Sequence, residues 1–319
     1  MIDNILIHIG YHKTGSTWLQ KELFTSENNV FEPLSTKSSG QSSLTKFFIT
    51  SNDGYLLSPY EFNSDTIRKE INSILKLKNN LFKTQIPVLS SERLSGNPHS
   101  GGFDSKIILS RIKNIFPKAK IFIVIREQKS YILSNYFQYI DKGGMLSIKK
   151  YLNQKYDAKI PFFSPYHLDY FLLVKEYIKQ FGKENVLVLP YEMFNTKPSL
   201  FITFLTNFIN KKININKEIF LRFWNKRNYY FIRYHLRFLN IFRPKTSVST
   251  CSIIGNKYFG LFITFLINFL GVITPDYFDK GTLKKTHKYI DAFTKDRYIE
   301  SNRRLSELIN IDLSHYGYY

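Results

Sequence analysis

Four short apolar runs recur along this chain, and the segments between them have helical periodicity. The runs cover residues 4–9, 86–90 (IPVLS), 119–125 (AKIFIVI) and 184–192 (ENVLVLPYE). Such short, continuous runs are typical of strands that are covered on both faces. Because strands joined by helical crossovers lie parallel, the pattern predicts an α/β fold with a central parallel sheet and helices on both faces.

Amphipathic helices are predicted over 16–24, 104–116, 130–140, 167–181 and 296–313. Asp104 is the predicted N-cap of the second of these helices, and Gly182 ends the fourth. In open parallel sheets a ligand binds outside the carboxyl ends of the strands. The residues directly after each strand are therefore the ones expected to form a site: 12–17, 90–93, Arg126, and Tyr191 with Glu192.

The length of 319 residues fits one large core or two smaller ones. We predict a single domain over residues 1–319, with variable segments at about 33–66 and 210–295 that would contact the acceptor side of the site. The second segment is helical, basic and aromatic, and its most basic part reads KRNYYFIRYHLRFLNIFRPK. This gives an α/β, P-loop-like fold with a helical basic and aromatic insertion toward the C-terminus.

The charge and cysteine content restrict the partners and the compartment. Lys and Arg outnumber Asp and Glu by 45 to 25, a formal charge of +20 that suits a polyanionic ligand, an anionic membrane or nucleic acid, although it also fits a general compositional bias. The single cysteine, Cys251, excludes an internal disulfide framework and fits a reducing compartment. The N-terminus lacks the basic region of a signal peptide, and we predict a cytoplasmic protein.

Residues 258–274 (YFGLFITFLINFLGVIT) form the one membrane-like stretch. Its length is at the lower limit for a spanning helix. We expect a buried or interfacial helix, with a peripheral membrane contact as the alternative.

The stretch IGYHKTGSTW at residues 9–18 nearly spells a nucleotide-phosphate loop. Gly10 and Gly15 have the spacing of a Walker A loop, but the only lysine, Lys13, lies between them and Ser16 follows directly. Backbone N–H groups in such a turn, with a helix N-terminus behind them, bind a phosphate. Lys13 on the loop itself would neutralise charge on the oxygen that bridges a 5′-phosphate to a departing group. The alternative is an ordinary glycine-containing turn.

A second candidate element follows the most hydrophobic strand. Arg126 ends that strand, and Ser134 comes eight residues later, one to two turns into the next helix. A guanidinium and a hydroxyl that converge on one cleft could hold a second phosphate. An arginine at a strand end is also common in surface ion pairs.

These two elements together resemble the sulfotransferases that use 3′-phosphoadenosine 5′-phosphosulfate (PAPS). The shared motifs are KTGSTW, the strand ending in Arg126 with Ser134 beyond it, and VLVLPYEMF. The terminal ESNRRLSELINIDLSHYGY is similar to the end of bacterial carbohydrate-type members. The resemblance covers residues 5–210 and 296–319. The chain has His12 where the family often has Pro, and Met193 where Asp is common.

The resemblance implies a role for each motif residue and requires no metal. The implied cofactor-binding residues are His12, Lys13, Thr14, Gly15, Ser16, Thr17, Trp18, Arg126, Ser134 and Tyr191. The loop from Lys13 to Trp18 would hold the 5′-phosphosulfate, and Arg126 with Ser134 the 3′-phosphate. Trp18 and Tyr191 would line the adenine, although an aromatic residue on the first turn of a helix often belongs to the core.

Transfer to a hydroxyl needs a base near the acceptor oxygen. Glu92, after the IPVLSS strand, is the predicted catalytic base, and Lys13 is its predicted catalytic partner. Glu92 could instead only pair with Arg93 or Lys13. His99, in the same loop, is the alternative base, whereas His8 lies within a strand and is expected in the core.

The sequence therefore predicts a PAPS-dependent sulfotransferase that acts on a hydroxyl, most plausibly of a saccharide or glycolipid, and not on nucleic acid. One alternative is a P-loop kinase or NTPase, which would need a lysine after Gly15 and an acidic strand end. The other is a basic membrane- or nucleic-acid-binding module, which would not need an ordered phosphate loop.

Overall fold

The computed structural model describes residues 5–34, 44–50, 57–76, 84–154, 160–213, 229–246, 248–249, 253 and 255–319. Asn4, Cys251 and parts of both predicted variable segments lie outside the described residues. The prediction that residues 1–319 form a single domain stays a prediction.

One parallel sheet organises the described chain, as predicted. Its strands are β1 (Leu6–Gly10), β2 (Phe31–Pro33), β3 (Ile86–Ser90), β4 (Lys120–Ile125) and β5 (Val186–Pro190), in the spatial order β2-β3-β1-β4-β5. Every pair is parallel, and β1 lies between β3 and β4. The three-residue edge strand β2 was not predicted, because so short a run has no period of its own. The central position of β1 places the loop after it between the ends of β3 and β4.

Helices occupy both faces of the sheet. They are α1 (Ser16–Trp18), α2 (Lys46–Ile49), α3 (Ser64–Lys76), α4 (Ser105–Ile115), α5 (Gln128–Asp141), α6 (Ile148–Leu152), α7 (Tyr170–Phe181), α8 (Tyr191–Thr196), α9 (Pro198–Ile209), α10 (Tyr230–Leu236), α11 (Lys257–Ile273), α12 (Asp276–Thr294) and α13 (Ile299–Ile309). Short 3-10 turns connect several of them. The α/β prediction is confirmed.

The strands alternate their side chains between two separate hydrophobic clusters. Ile121 and Ile123 of β4 join the cluster beneath α4, α5 and α7, whereas Phe122 and Val124 join the cluster beneath α1, α8 and α9. Both sets are fully buried. Burial on both faces explains why the strand sequences are continuously apolar.

Two local predictions need correction. The helix expected over 16–24 is α-helical only from Ser16 to Trp18 and continues as a π-helical segment over Leu19–Leu23. Asp104 occupies the N-cap position of α4, but its side chain makes no capping bond there. Its carboxylate instead pairs with Arg93 at 2.5 Å and accepts the Asn97 N–H at 2.9 Å, because the 92–104 loop folds back over the helix start.

The helical region near the C-terminus packs on the rest of the fold through α12, which contacts α5, α6 and α10. Helix α11 covers the predicted membrane-like stretch, and most of its apolar side chains are exposed. Of the two predicted arrangements, buried or interfacial, the exposed side chains exclude the buried one, and the interfacial one stays a prediction. Among the described residues, no single helix is long and apolar enough to cross a membrane, but residues 258–273 and α12, bent by 112°, meet that criterion as a pair.

Candidate active site

The loop between β1 and α1 contains two left-handed residues. Lys13 has φ 67° and Gly15 has φ 77°. A left-handed lysine is strained by about 1 kcal/mol or more, and such strain persists where the surroundings enforce it. Left-handed residues of this kind let backbone N–H groups point into one concavity, which is the usual anion-binding arrangement.

Both glycines of the loop are required by close contacts. A Cβ on Gly10 would lie 2.7 Å from Ser16 Oγ and 3.0 Å from Thr14 Oγ1. A Cβ on Gly15 would lie 3.0 Å from the ring of Tyr191, in addition to the cost of its positive φ. Because these glycines lack side chains, the two hydroxyls can lie against the end of β1 and Tyr191 can lie against the loop.

The loop hydroxyls have different partners. Thr14 Oγ1 donates to the Tyr11 carbonyl at 2.5 Å and so holds the turn together. Ser16 Oγ is buried and makes no hydrogen bond in the described structure. Thr17 is exposed at the first turn of α1. Lys13 is also exposed and forms no ion pair with a described residue. Lys13 thus keeps its hydrogen-bonding capacity for a ligand, whereas Ser16 Oγ lies near enough to the Glu92 carboxylate to lower its pKa.

Arg126 joins the second predicted element to the loop. Its Nη1 donates to the Lys13 carbonyl at 2.7 Å, and its guanidinium lies 5.2 Å from the centre of the Tyr191 ring. The Tyr170 hydroxyl donates to the Arg126 carbonyl at 2.7 Å and fixes its backbone. The buried Nε of Arg126 has no partner in the described structure. The two candidate phosphate-binding elements are therefore neighbours.

Three other predicted cofactor residues have defined places in the structure. Ser134 is half-buried in the second turn of α5. Trp18 is 7% exposed and packs on Phe194, with 4.6 Å between ring centres. Tyr191 is half-buried and lies 6.3 Å from the same Phe194 ring. Trp18 thus belongs to the core on this face of the sheet, and its contact with an adenine stays a prediction.

Glu192, next to Tyr191, connects three distant parts of the chain. Its carboxylate accepts the Glu127 N–H at 3.1 Å and the hydroxyl of Tyr318 at 3.0 Å. Burial raises the pKa of Glu192, and these hydrogen bonds oppose the shift. The C-terminal tail thereby fixes the segment that carries Tyr191, a connection that sequence reasoning missed because no local pattern links Tyr318 to Glu192.

Glu92 follows β3, as expected, and faces the loop. Its Oε1 lies 3.5 Å from Nδ1 of His12. Burial raises the pKa of the Glu92 carboxyl, while the positive charge of Lys13 opposes the shift. The sequence left open whether Glu92 only forms an ion pair with Arg93. In the structure Arg93 pairs with Asp104 instead.

Two histidines border Glu92 and Lys13. His12 and His99 are each 6% exposed, and all four of their ring nitrogens lack hydrogen-bond partners in the described structure. Burial, reinforced by Lys142, holds the pKa of His12 well below its ordinary value. Burial and the charges of Lys142 and Lys13 lower the pKa of His99 to about 3. Both rings are therefore neutral near pH 7.

His8 lies in the core, as expected from its place within β1. It is fully buried, its Nδ1 lies 2.8 Å from Ser90 Oγ, and its ring packs between Phe24 and Phe122. Burial lowers its pKa to about 3. Its position inside the strand makes it a structural residue.

Further charges reach the loop from helices α5 and α10. Lys13 is exposed to solvent but lies among many protein atoms, and the partial desolvation lowers its pKa, whereas the carboxylates of Asp141 and Glu92 oppose that shift. Asp141 at the end of α5 pairs with Arg233 of α10. Burial also lowers the pKa of Lys142, which adjoins Asp141. Sequence reasoning missed Lys142, Asp141 and Arg233 individually, although it assigned the segment of Arg233 to the acceptor side.

The structure thus brings together a glycine-containing loop with Lys13, a second cationic group in Arg126, and a carboxylate in Glu92. Glu92 and His99 lie close enough to Lys13 to interact with its charge. In the part of the chain that the structure describes, no group of three or more His, Cys, Asp or Glu side chains is arranged to hold a metal ion.

A family model described as sulfotransferase domain matches residues 3–233. Among solved structures, a sulfotransferase from Alicyclobacillus acidocaldarius is 16% identical with a TM-score of 0.46, covering 68% of this chain and 87% of that chain. The sulfotransferase domain from the curacin biosynthetic pathway is 18% identical with a TM-score of 0.39, covering 70% and 79%. Mouse sulfotransferase SULT7A1, complexed with PAP, is 13% identical with a TM-score of 0.39, covering 97% and 90%. No curated protein matches this chain.

The matched segment begins before β1 and ends within α10, so it contains the whole sheet and more than half of the chain. It includes the loop with Lys13, the Glu92 turn, Arg126 and Tyr191. The chain therefore belongs to the sulfotransferase domain family, whose reaction is sulfuryl transfer.

Proposed function

We propose that this protein transfers a sulfuryl group from PAPS to a hydroxyl of a saccharide or glycolipid. The observation that carries the proposal is the hydrogen bond from Arg126 to the Lys13 carbonyl at 2.7 Å. It joins the anion-binding loop to a second cationic group. A sulfuryl donor with phosphates at both its 5′ and 3′ positions requires two such cationic groups.

The free polar atoms of the site fit such a donor. Ser16 Oγ and Arg126 Nε are buried without partners in the described structure, and unpaired buried groups of this kind are costly unless a ligand satisfies them. In our proposal the loop amides with Lys13, Ser16 and Thr17 bind the 5′-phosphosulfate. Arg126 and Ser134 bind the 3′-phosphate, and Tyr191 lies along the adenine.

Lys13 provides the electrostatic contribution to the transfer. The acceptor oxygen forms a bond to sulfur while the bond from sulfur to the bridging oxygen of the 5′-phosphate breaks, which leaves a sulfate ester and 3′-phosphoadenosine 5′-phosphate (PAP). The ammonium of Lys13 neutralises the negative charge that develops on the bridging oxygen. A preorganised donor at this position typically contributes about 10²- to 10³-fold in rate.

Glu92 accepts the proton of the acceptor hydroxyl. Burial raises its pKa, which makes its carboxylate a stronger base than an ordinary one. The side chain of Glu92 is 37% exposed. The alternative base, His99, is only 6% exposed as a residue. An acceptor can therefore reach Glu92 more directly than His99.

A cavity of about 850 Å³ between α10 and α12 supports a saccharide acceptor. Its lining includes Tyr234, His235, Tyr277, Phe278, Lys285 and Tyr289. Aromatic faces pack on the apolar faces of sugars, and lysines bind carboxylate or sulfate groups on a glycan. Arg233, on the same helix as Tyr234, pairs with Asp141 beside the catalytic loop, so this helix extends from the cavity to the site.

Calorimetric titration with PAP and with ADP tests the donor assignment. We expect PAP to bind at least about tenfold more tightly, because Arg126 and Ser134 contact only the 3′-phosphate. Equal affinity for PAP and ADP would contradict the proposal and favour a nucleotide-dependent kinase. A screen with sulfate-labelled PAPS against saccharides, glycolipids and simple phenols then tests the acceptor class, and labelling of phenols alone would exclude the saccharide assignment.

A further inference from the structure

Helix α11 presents an apolar stripe to solvent. Seven of its side chains are between 51% and 70% exposed: Tyr258, Leu261, Phe262, Phe265, Phe269, Val272 and Ile273. At about 100° per residue these positions fall within a stripe roughly 120° wide that runs the length of the helix. The four aromatic side chains alone expose an area on the order of 400 Å², comparable with the largest apolar patch on a typical monomeric protein, which is often functional.

The opposite side of α11 is occupied by protein. Ile263 is 1% exposed, and Phe259 packs on Phe242 with 5.1 Å between ring centres. Gly271 is buried against the ring of Tyr229, where a Cβ would approach within 2.4 Å. The helix is thus fixed to α10 and to the 3-10 helix over Arg237–Phe242 by one face. The exposed stripe is therefore a fixed feature of the surface.

The helix that follows α11 in the chain has more exposed basic than acidic side chains. Residues 258–274 contain no charged side chain, whereas the following helix has exposed lysines at 280, 284, 285 and 288. Of the acids on this helix, Asp279 is buried and accepts the Phe231 N–H at 2.8 Å, whereas Asp276 and Asp291 are exposed. An apolar face followed by a helix with a net excess of exposed lysines matches the interface of a bilayer that carries anionic headgroups.

We propose that α11 binds the surface of an anionic membrane, with its stripe in the interfacial region and Lys280 and Lys284 of α12 at the headgroups. The helix lies along the bilayer and does not cross it. Its 17 residues span about 25 Å, less than the hydrocarbon core of about 30 Å. The lysines of α12 would also be costly within hydrocarbon. Tyr258, at the start of the stripe, is a residue type that concentrates at membrane interfaces.

This membrane binding does not depend on the sulfuryl transfer proposed above. It is tested by flotation of the full chain with vesicles of phosphatidylcholine, with or without phosphatidylglycerol. We expect the protein to float with the anionic vesicles and less with the neutral ones, and added salt should weaken the binding. Failure of the wild-type protein to float with anionic vesicles would overturn the proposal.

Variants separate the stripe from general hydrophobicity. The triple variant Leu261→Gln, Phe265→Gln, Phe269→Gln should lose vesicle binding by on the order of tenfold or more, because three side chains no longer enter the apolar region. The matched control is Ile160→Gln, Tyr166→Gln, Leu172→Gln, which changes three exposed apolar residues elsewhere and should bind normally. Equal loss in both triple variants, or in neither, would contradict the assignment.

Charge and self-association provide two further readouts. Lys280→Glu with Lys284→Glu should reduce binding to anionic vesicles and leave the weaker binding to neutral vesicles unchanged. Sedimentation velocity without lipid examines whether a second copy covers the stripe. The proposal would be overturned if the wild-type protein formed a dimer and did not bind vesicles, while the stripe variant was monomeric. The stripe would then be a subunit interface.

Discussion

The Nδ1 atom of His12 lies 3.5 Å from Oε1 of Glu92, at the point where the loop after β1 meets the turn after β3. Burial holds the pKa of His12 well below its ordinary value and raises the pKa of Glu92. The contact therefore joins a neutral imidazole to a carboxylate of increased basicity. It gives the proposed base a fixed neighbour without neutralising its charge.

Replacing Glu92 by Gln should remove the base while keeping its shape. We expect the turnover number to fall by on the order of 10²- to 10⁴-fold. PAP binding, measured by calorimetry, should change little. A base must be deprotonated, so wild-type activity should fall as the pH drops through the raised pKa of Glu92, and this acid limb should be absent from the variant. An unchanged pH profile in the variant would assign the base elsewhere, and His99→Gln would then be compared.

Lys13→Ala should lower turnover by about 10²- to 10³-fold, because no cation then neutralises the bridging oxygen. The loss should be larger in turnover than in PAP affinity, since PAP lacks the departing sulfuryl group. Lys69→Ala, on the exposed face of α3, is the matched control and should retain full activity. Normal turnover by Lys13→Ala would remove this lysine from the mechanism.

Arg126→Lys keeps the charge but removes the planar contacts to Tyr191 and to the Lys13 carbonyl. We expect PAP to bind roughly tenfold to hundredfold more weakly, while ADP binding changes much less. Arg297→Lys is a suitable control because Arg297 also lies over an aromatic ring, that of Phe293, far along the chain. Equal losses for PAP and ADP would indicate that Arg126 only shapes the loop.

Gly15→Ala should distort the loop. The residue has φ 77°, and the new methyl group would lie 3.0 Å from the Tyr191 ring. We expect the free energy of unfolding to decrease by more than about 1 kcal/mol and PAP binding to weaken. Gly260→Ala, in a helical position with open space around the new methyl group, should instead stabilise the protein by up to about 1 kcal/mol. Denaturant unfolding of both variants checks the opposite signs.

His8 should make the protein sensitive to acid. Its folded-state pKa is about 3, so between its ordinary value near 6.5 and about 3 the unfolded chain binds a proton that the folded chain does not. Stability should therefore fall as the pH decreases, by about 1.4 kcal/mol from this residue between about pH 7.5 and about pH 5.5. Urea unfolding of His8→Asn should show a shallower pH dependence.

The strand and helix patterns were sufficient to predict the parallel sheet. Its longer strands are covered on both faces, and their sequences are therefore continuously apolar. Lys13, Glu92 and Arg126 could be selected because the carboxyl ends of parallel strands open on one edge. The edge strand Phe31–Pro33 was missed because three residues carry no periodic signal. Asp104 was correctly located at a helix start, but its partner Arg93 decided what its carboxylate binds.

The sequence by itself determined the α/β class, the phosphate loop and the strand-end residues, because these depend on local patterns and on the common direction of parallel strands. Only the tertiary structure decided that Arg126 binds the carbonyl of Lys13, that Tyr318 holds Glu192, and that α11 faces solvent. Each of these depends on side chains far apart in the chain or on which face of a uniformly apolar helix meets the protein. The local periodicity of the sequence contains no information about such long-range contacts or about which face of the helix is buried.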